Sequence, residues 1–578
     1  MTKSKPGSES NSSVSTDTPI PFDLLDKKMT VRGSPFEIQQ TTIRGRNTPV
    51  WTSSLPNMRA ILENTQQFAE RDYIVYQQER LSYGDHYRKA AELATVMRER
   101  FGIEKGDRVA LTMRNYPEWP IVFWATVSIG AVIVPLNAWL IGPELSYALE
   151  HSGSRLLFAD AERVALLRDH LKELPALETT IVVRGNDETH DTLSWESLFS
   201  NHKNHELPEC HIDADDDAAI FYTSGTTGKP KGALLTHRSI CVNQITGTYL
   251  RARTEYRYGR TPQAPTQQLG QLISVPLFHV TGSIAMLCGS TVQGNKLVFM
   301  YKWDADDAIR LIEKEGLHSF GGVPSMPMQV IESPIFNQHD TSSVIAVLYG
   351  GAPASPELAQ QVKAAFPNSS ASNGYGLTET SGVTSVNVAE DYLTRPKSAG
   401  APAPISEVRI VDDNGKDLTP EEIGEIWIKG PQVFKAYWNN PEATAAALTE
   451  GWLHTGDLGY QDSDGFLYVV DRAKDMLLRG GENIYCIEVE NALHTHPDVL
   501  DTAVVGAPHH VLGETVVAMV QLKPDSVATE QTLQGHMSGQ IAAFKIPERI
   551  DFCDSPLPRN ANGKILKKEV KKLMGLID

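Results

Sequence analysis

Short runs of β-branched and aromatic residues alternate with longer stretches at helical spacing over most of the first four hundred positions. Tyr73, Ile74, Val75 and Tyr76 form one such run. Ser82 then stands where it can cap a helix whose apolar face passes through Tyr87, Ala91, Leu93 and Met97. Gly106 and Asp107 lead into Arg108, Val109, Ala110 and Leu111, a short buried strand. The succession returns at Arg155, Leu156, Leu157 and Phe158 before a helix from Ala161, at Thr180, Ile181, Val182 and Val183, and at Val344, Ile345, Ala346, Val347 and Leu348 before two glycines. Strands separated by helical patterns predict a parallel α/β architecture. The most apolar window, residues 119–140, is broken by Gly130 and Pro135. It reads as a buried helix followed by a strand at Ala131, Val132, Ile133 and Val134, not as a membrane span.

After about residue 398 the pattern changes. Short alternating strands follow at Val408, Arg409, Ile410 and Val411 and at Gly424, Glu425, Ile426, Trp427 and Ile428. Asp464 and Gly465 close a hairpin into Phe466, Leu467, Tyr468, Val469 and Val470. This stretch predicts antiparallel structure, a distorted barrel. From Asp471 a βαβ-like pattern resumes over about one hundred residues, enough for a small domain of its own. No period of 20–50 residues marks a repeat protein.

At 578 residues the chain exceeds what one hydrophobic core supports, so at least two domains are expected. The division expected is a disordered or extended lead-in at 1–48, a large domain at 49–473 and a mobile small domain at 474–578. The balance of 53 basic against 71 acidic side chains gives −18, which argues against wrapping nucleic acid or lying on an anionic membrane. Local basic patches could still bind phosphates. Cys210, Cys241, Cys288, Cys486 and Cys553 are odd in number, scattered and without metal-ligand spacing. They predict reduced thiols in an intracellular, cytoplasmic setting. Residues 1–20 are rich in Ser and Thr and carry no apolar secretory region, and the last three residues are not a Ser-Lys-Leu peroxisomal address, though a peroxisomal location stays open.

The most informative stretch follows the apolar Ala218, Ala219, Ile220 and Phe221. It reads Tyr222, Thr223, Ser224, Gly225, Thr226, Thr227, Gly228, Lys229, Pro230, Lys231 and Gly232. Three glycines let backbone N–H groups approach a polyphosphate, four hydroxyls add donors, and two lysines add charge. The glycine spacing is too short for a Walker A loop, and Pro230 stands where that loop has Ser or Thr.

This loop resembles the phosphate loop of the adenylate-forming superfamily of acyl- and aryl-CoA ligases, peptide-synthetase adenylation domains and firefly luciferases. The resemblance extends, in that family's order, through Pro276, Leu277, Phe278, His279, Val280, Thr281 and Gly282; Tyr349, Gly350, Gly351, Ala352 and Pro353; and Asn373, Gly374, Tyr375, Gly376, Leu377, Thr378, Glu379 and Thr380. It continues through Gly456 and Asp457, then Asp471, Arg472, Ala473 and Lys474, then Gly480, Gly481, Glu482, Asn483 and Ile484, and ends at Pro558 to Lys564. It implies a large domain of two parallel-type α/β subdomains plus the barrel, and a small α+β domain that rotates.

The roles implied are specific. Glu379 is a Mg²⁺ ligand and Thr378 a phosphate donor. Tyr375 stacks on adenine beside Gly350, Gly351, Ala352 and Pro353. Asp457 accepts from the ribose hydroxyls, and Arg472 holds the ribose or phosphate side. Lys564 reaches the carboxylate and the α-phosphate, whereas Lys567, Lys568, Lys571 and Lys572 read as ordinary solvated charges. Lys474 is the hinge. After rotation Gly480, Gly481, Glu482 and Asn483 line a pantetheine tunnel.

The activity implied joins a carboxylic acid to AMP, using ATP and Mg²⁺, and passes the acyl group to coenzyme A. An adenylation enzyme loading a carrier protein is the alternative, and a catalytically silent binding protein is a third. No carboxylate follows Phe278, so an α-amino acid substrate is disfavoured against a fatty or aryl acid. His279, Val280, Gly282, Ser283, Gly322, Val323, Pro324, Gly374 and Thr380 are the pocket candidates, mostly small or apolar, and His279 also stands with Lys564 and Glu379 as a catalytic candidate. Leu478 and Asn483 depart from the Lys and Gln of plant coumarate–CoA ligases and luciferases, which weakens a phenylpropanoid or luciferase assignment.

Overall fold

The computed structural model describes residues 19–185, 192–199, 205–223, 229–350, 357–479, 482–560 and 563–577. Two eight-stranded sheets make most of the large domain. In the first, the strands Asp217–Thr223, Val132–Pro135, Arg108–Thr112, Leu156–Asp160, Thr179–Val183 and Thr192–Ser194 run parallel as neighbours, and Lys231–Thr236 folds back antiparallel on Asp217–Thr223. In the second, Ser370–Leu377, Ala346–Gly350, Ser319–Gly322, Gly270–Ile273, Lys296–Phe299 and Asp72–Tyr76 are parallel. Antiparallel strands Gly382–Val388 and Glu79–Ser82 close its edges. The strand expected at 344–348 begins two residues later, because the Val344 N–H is used in a turn to the Thr341 carbonyl.

One core cluster joins the inner faces of both sheets through the helices between them. The helix Tyr83–Glu99 starts on a reciprocal cap, Ser82 accepting from the Asp85 N–H while the Asp85 carboxylate accepts from Ser82. The helix Glu118–Ser128 is buried at every residue from Trp119 to Ser128, each large apolar side chain contributing about 2–3 kcal/mol. That explains its all-round apolar sequence. No helix among the described residues is long and apolar enough to cross a membrane.

The segment after residue 398 is a five-stranded antiparallel sheet of Glu407–Val411, Gly424–Lys429, Leu448–Thr449, Trp452–Gln461 and Leu467–Arg472. The small domain pairs Val499–His509 with Gly513–Leu522 antiparallel, and Arg549–Phe552 joins the latter in parallel. It is thus α+β, where the sequence pattern alone reads as βαβ.

Within the lead-in expected to be disordered or extended to residue 48, the described residues carry regular structure. Phe22–Met29 is helical, and Ile38–Ile43 pairs with Arg46–Trp51. Phe22 lies under the Arg253 and Arg257 guanidinium groups, 4.4 and 4.2 Å from their central carbons, and 5.0 Å from the Phe466 ring. Asp26 accepts from the Tyr249 hydroxyl. These partners lie more than two hundred residues away in sequence, so the helix depends on docking, not on its own propensity.

Candidate active site

Three parts of the large domain and one loop of the small domain converge. The strand Ser370–Leu377 carries Asn373, Gly374, Tyr375 and Gly376. A Cβ at Gly376 would stand 1.7 Å from the Gly382 carbonyl oxygen, so only glycine lets the two strands meet there. Gly350 pairs with Gly374 across the neighbouring strand, so two bare backbones lie side by side. From this sheet the Tyr375 hydroxyl donates to Asp457 Oδ2 at 2.8 Å.

Asp457 and Arg472 are register partners on adjacent antiparallel strands, and Arg472 Nε lies 2.7 Å from Asp457 Oδ1. The preceding Gly456 N–H is held by Glu425 Oε1 at 3.0 Å and the Asp457 N–H by Thr455 Oγ1 at 3.0 Å. Asp457 is only 3% exposed. Burial raises its carboxyl above the ordinary range, while Arg472, Tyr375 and Lys564 pull it back. Burial also lifts the Tyr375 phenol far above its usual value, which fixes it as a neutral donor.

Lys564 comes to the same place from the other end of the chain. Its loop is tied by the Gly563 N–H to the Asn560 carbonyl at 2.8 Å and by the Asn560 N–H to the Lys564 carbonyl at 2.8 Å. Arg559 donates to the Gly563 carbonyl and, at 2.5 Å, to Asp501. Gly563 has φ +75°, and a Cβ on it would meet Val323 Cγ2 at 2.9 Å, so the loop seats tightly on the end of the strand Ser319–Gly322. Burial, helped by Arg472 and Lys474, lowers the Lys564 ammonium to about 8 against the opposing pull of Asp457 and Asp475. Val323 therefore sits at the junction, half-buried beneath the lysine loop.

Glu379 lies in the turn Thr378–Thr380, after the same strand that carries Tyr375. Its Oε1 accepts from the Tyr437 hydroxyl at 2.7 Å. Lys231 Nζ stands 5.2 Å from the Tyr437 ring centroid, and Lys229 Nζ 5.1 Å from that of Tyr147. The loop that carries Lys229 joins the antiparallel strands Asp217–Thr223 and Lys231–Thr236. Its Ser224, Gly225, Thr226, Thr227 and Gly228 lie outside the described residues, as do Gly351, Ala352, Pro353, Gly480 and Gly481. Thr223, at the loop's base, donates to the Lys231 carbonyl at 3.4 Å.

His279 is a half-buried residue whose Nε2 is shielded from solvent, and desolvation pushes its imidazole down to about 3, so it is neutral. Its Nε2 has no hydrogen-bond partner among the described residues. Ser283, expected to line a pocket, donates N–H and hydroxyl to the His279 carbonyl at 2.9 Å, and a Cβ at Gly282 would meet the Pro276 carbonyl oxygen at 2.3 Å. Both residues hold the His279 turn. Thr380 likewise bonds within its own turn, to Leu377 and Gly382. Val280 is buried beside His279. Lys474 is exposed in the turn linking Leu467–Arg472 to Leu477–Arg479, and Glu482 and Asn483 are exposed on the strand Glu482–Ile484.

Tyr437 and Glu425 carry no mark in the sequence that singles them out, and Arg559, though inside the stretch Pro558 to Lys564, has no role of its own assigned there. Tyr437 meets Glu379 across 58 positions, and no local spacing announces that pair.

These residues can be placed beside known proteins. A model described as AMP-binding enzyme matches residues 61–438, and one described as AMP-binding enzyme C-terminal domain matches residues 488–564. A feruloyl-CoA synthase of Amycolatopsis sp is 35% identical over 506 residues, covering 86% of this chain and 94% of that protein. A long-chain-fatty-acid–CoA ligase of Bacillus subtilis (strain 168) is 33% identical over 543 residues, covering 89% and 94%. The crystal structure of the anthranilate CoA ligase AuaEII in complex with anthranoyl-AMP has a TM-score of 0.81 at 25% identity, covering 89% of this chain and 97% of that one. The chain belongs to the AMP-binding enzyme family, the adenylate-forming superfamily.

Proposed function

We propose that this chain is an AMP-forming acid–thiol ligase that activates a non-amino carboxylic acid, fatty or aryl, and hands it to coenzyme A. The observation that carries the reading is the convergence of Lys564 on the buried Asp457–Arg472 pair. In the first step an oxygen of the acid attacks the α-phosphorus of ATP, the bond to the bridging β-phosphate oxygen breaks, and pyrophosphate leaves. Two anions must meet, so a desolvated ammonium between them lowers the barrier most where negative charge gathers. Asp457 offers acceptors to the ribose hydroxyls, and Arg472 faces the phosphate side. Tyr375 does double duty, with its hydroxyl on Asp457 and its ring toward the base.

In the second step the thiolate of coenzyme A attacks the acyl carbon and AMP departs. The small domain, residues 474–578, turns about Lys474 to open that path and brings the 480–483 segment to the site. Neutral His279, with Nε2 unengaged, is assigned to shaping the pocket near the carboxylate and the thiol entry. Magnesium fits the described residues in one way. Glu379 is a hard oxygen donor with no cluster of three His, Cys, Asp or Glu around it among the described residues, which suits a cation held by one carboxylate plus substrate phosphates. When bound it supplies positive charge to the polyphosphate.

The relatives act on both hydroxycinnamate-type and long-chain fatty acids by name, so the departures at Leu478 and Asn483 do not by themselves separate these classes. A panel of ferulate, anthranilate, dodecanoate and hexadecanoate with ATP, Mg²⁺ and coenzyme A tests the reading. One of them is expected to yield AMP and an acyl-CoA of the matching mass in equal amounts. AMP release without acyl-CoA would point to a carrier-bound thiol as acceptor instead.

Two further expectations follow from the electrostatics. Lys564 works as a cation, so acid-dependent ATP–pyrophosphate exchange at low ATP should decline as pH rises through about 8. A Lys564→Arg variant, charged throughout that range, should lack this limb. Tyr375→Phe leaves buried Asp457 short of one donor, which costs about 1–3 kcal/mol. It should raise the KM for ATP by roughly tenfold with a smaller change in kcat.

A further inference from the structure

Lys567 lies three residues past Lys564, in a run of lysines that reads as solvated charge. It is not solvated. Its side chain is 20% exposed, and Nζ stands 3.2 Å from Oε1 of Glu490, itself 13% exposed, on the helix Cys486–His494. The same Glu490 oxygen accepts the Val504 N–H at 2.9 Å, so this carboxylate is pinned between helix and strand.

One turn earlier on that helix, Cys486 makes two contacts of its own. Its N–H donates to Asp471 Oδ2 at 2.6 Å, and its thiol donates to the Asp475 carbonyl at 3.0 Å. Asp471 also accepts the Arg472 N–H at 2.7 Å, although burial pushes its carboxyl up to about 6. Burial works to lower the Lys567 ammonium, but Glu490, Cys486, Asp471 and Asp475 together reverse this and hold it above the ordinary lysine range. The groups facing Lys567 therefore come from three places. Asp471 belongs to the last strand of the large domain, Asp475 to the turn around Lys474, and Cys486 and Glu490 to the small domain. Lys567 is in contact with Glu490 within the small domain, the Cys486 N–H reaches Asp471 across the hinge, and the ammonium acts on Asp471 through the field of this cluster.

We propose that Lys567 is a positioning residue that fixes the small domain in its acid-activating arrangement, with Lys564 beside Asp457 and Arg472. The proposal rests on the two-step reading above. Asp471 stays with the large domain while Cys486, Glu490 and Lys567 travel with the small one, so rotation about Lys474 re-sets their separation. Removing the ammonium leaves Asp471 and Glu490 buried without their shared counter-charge, and the acid-activating arrangement loses population. The second half-reaction uses the other arrangement and does not need this contact.

The experiment is a Lys567→Met variant, which keeps the aliphatic stem, assayed with ferulate and hexadecanoate as probes. Acid-dependent ATP–pyrophosphate exchange and acyl transfer from added acyl-adenylate to coenzyme A are measured separately. Exchange is expected to fall about 10–100-fold, transfer to stay within about twofold, and Lys567→Arg to restore most of the exchange. Glu490→Gln provides a second reading of the same split if the methionine variant does not fold. Equal loss of both half-reactions, or exchange unchanged by Lys567→Met, would overturn the proposal alone. Absence of exchange in the unsubstituted chain would instead remove the adenylation reading, and this proposal with it.

Discussion

Replacing Lys564 by alanine should abolish acid-dependent ATP–pyrophosphate exchange while sparing thioester formation from added acyl-adenylate. The reason is positional. Lys564 is the cation that the small domain brings beside the Asp457–Arg472 pair, and its desolvation makes its charge more effective there than in water. Loss of one preorganised charge of this kind costs about 10²–10³ in rate, roughly 3–4 kcal/mol. In the proposed transfer step the small domain has turned and taken Lys564 away from the site, so that step has no use for this ammonium. The check is a pair of half-reaction assays on one preparation. Exchange retained within about tenfold would mean that another group stabilises the α-phosphate, and Arg472 would be the first candidate.

Lys474→Pro should give the converse pattern, with acyl-adenylate formed and thioester blocked. Lys474 is exposed in the turn between the last large-domain strand and the first small-domain strand. That turn is held by the Ala473 N–H on the Gly456 carbonyl at 3.0 Å and by the Asp475 N–H on the Arg472 carbonyl at 2.9 Å. Proline fixes φ and removes a donor, so it would freeze the turn about which the proposed rotation takes place. Acyl-adenylate should then accumulate, and added coenzyme A should not discharge it. If both half-reactions fall together, the rotation is not centred on Lys474.

Much of the framework is legible in the amino-acid sequence. The apolar runs at 108–111, 156–158 and 180–183 stand as parallel strands because both their faces are covered, which leaves a signal readable without context. Ser82 and Asp85 announce a helix start through chemistry confined to four residues. What is not legible depends on partners remote along the chain. The helix Phe22–Met29 exists because Phe22 finds Arg253, Arg257 and Phe466. Lys567 looks like its lysine neighbours until Glu490 is brought to it.

The site divides in the same way. Asp457, Arg472, Glu379 and Lys564 stand out only through resemblance, since an isolated carboxylate or lysine carries no local mark of function. Asp457 and Arg472 come from one sheet, Glu379 from a turn at the end of a strand of another, and Lys564 from a loop of the other domain. Gly282, Ser283 and Thr380 read as pocket residues, and hydrogen bonding and close packing also give them a part in shaping their turns, which no local spacing announces.

The measurement closest to the central claim is mass detection of the enzyme-bound intermediate. Incubation with ATP, Mg²⁺ and an accepted acid, without coenzyme A, should build acyl-AMP with one pyrophosphate released for each. Adding coenzyme A should then convert it to acyl-CoA and AMP in equal amounts. Release of ADP and phosphate, or of AMP with no acyl-adenylate at any acid in the panel, would contradict the account.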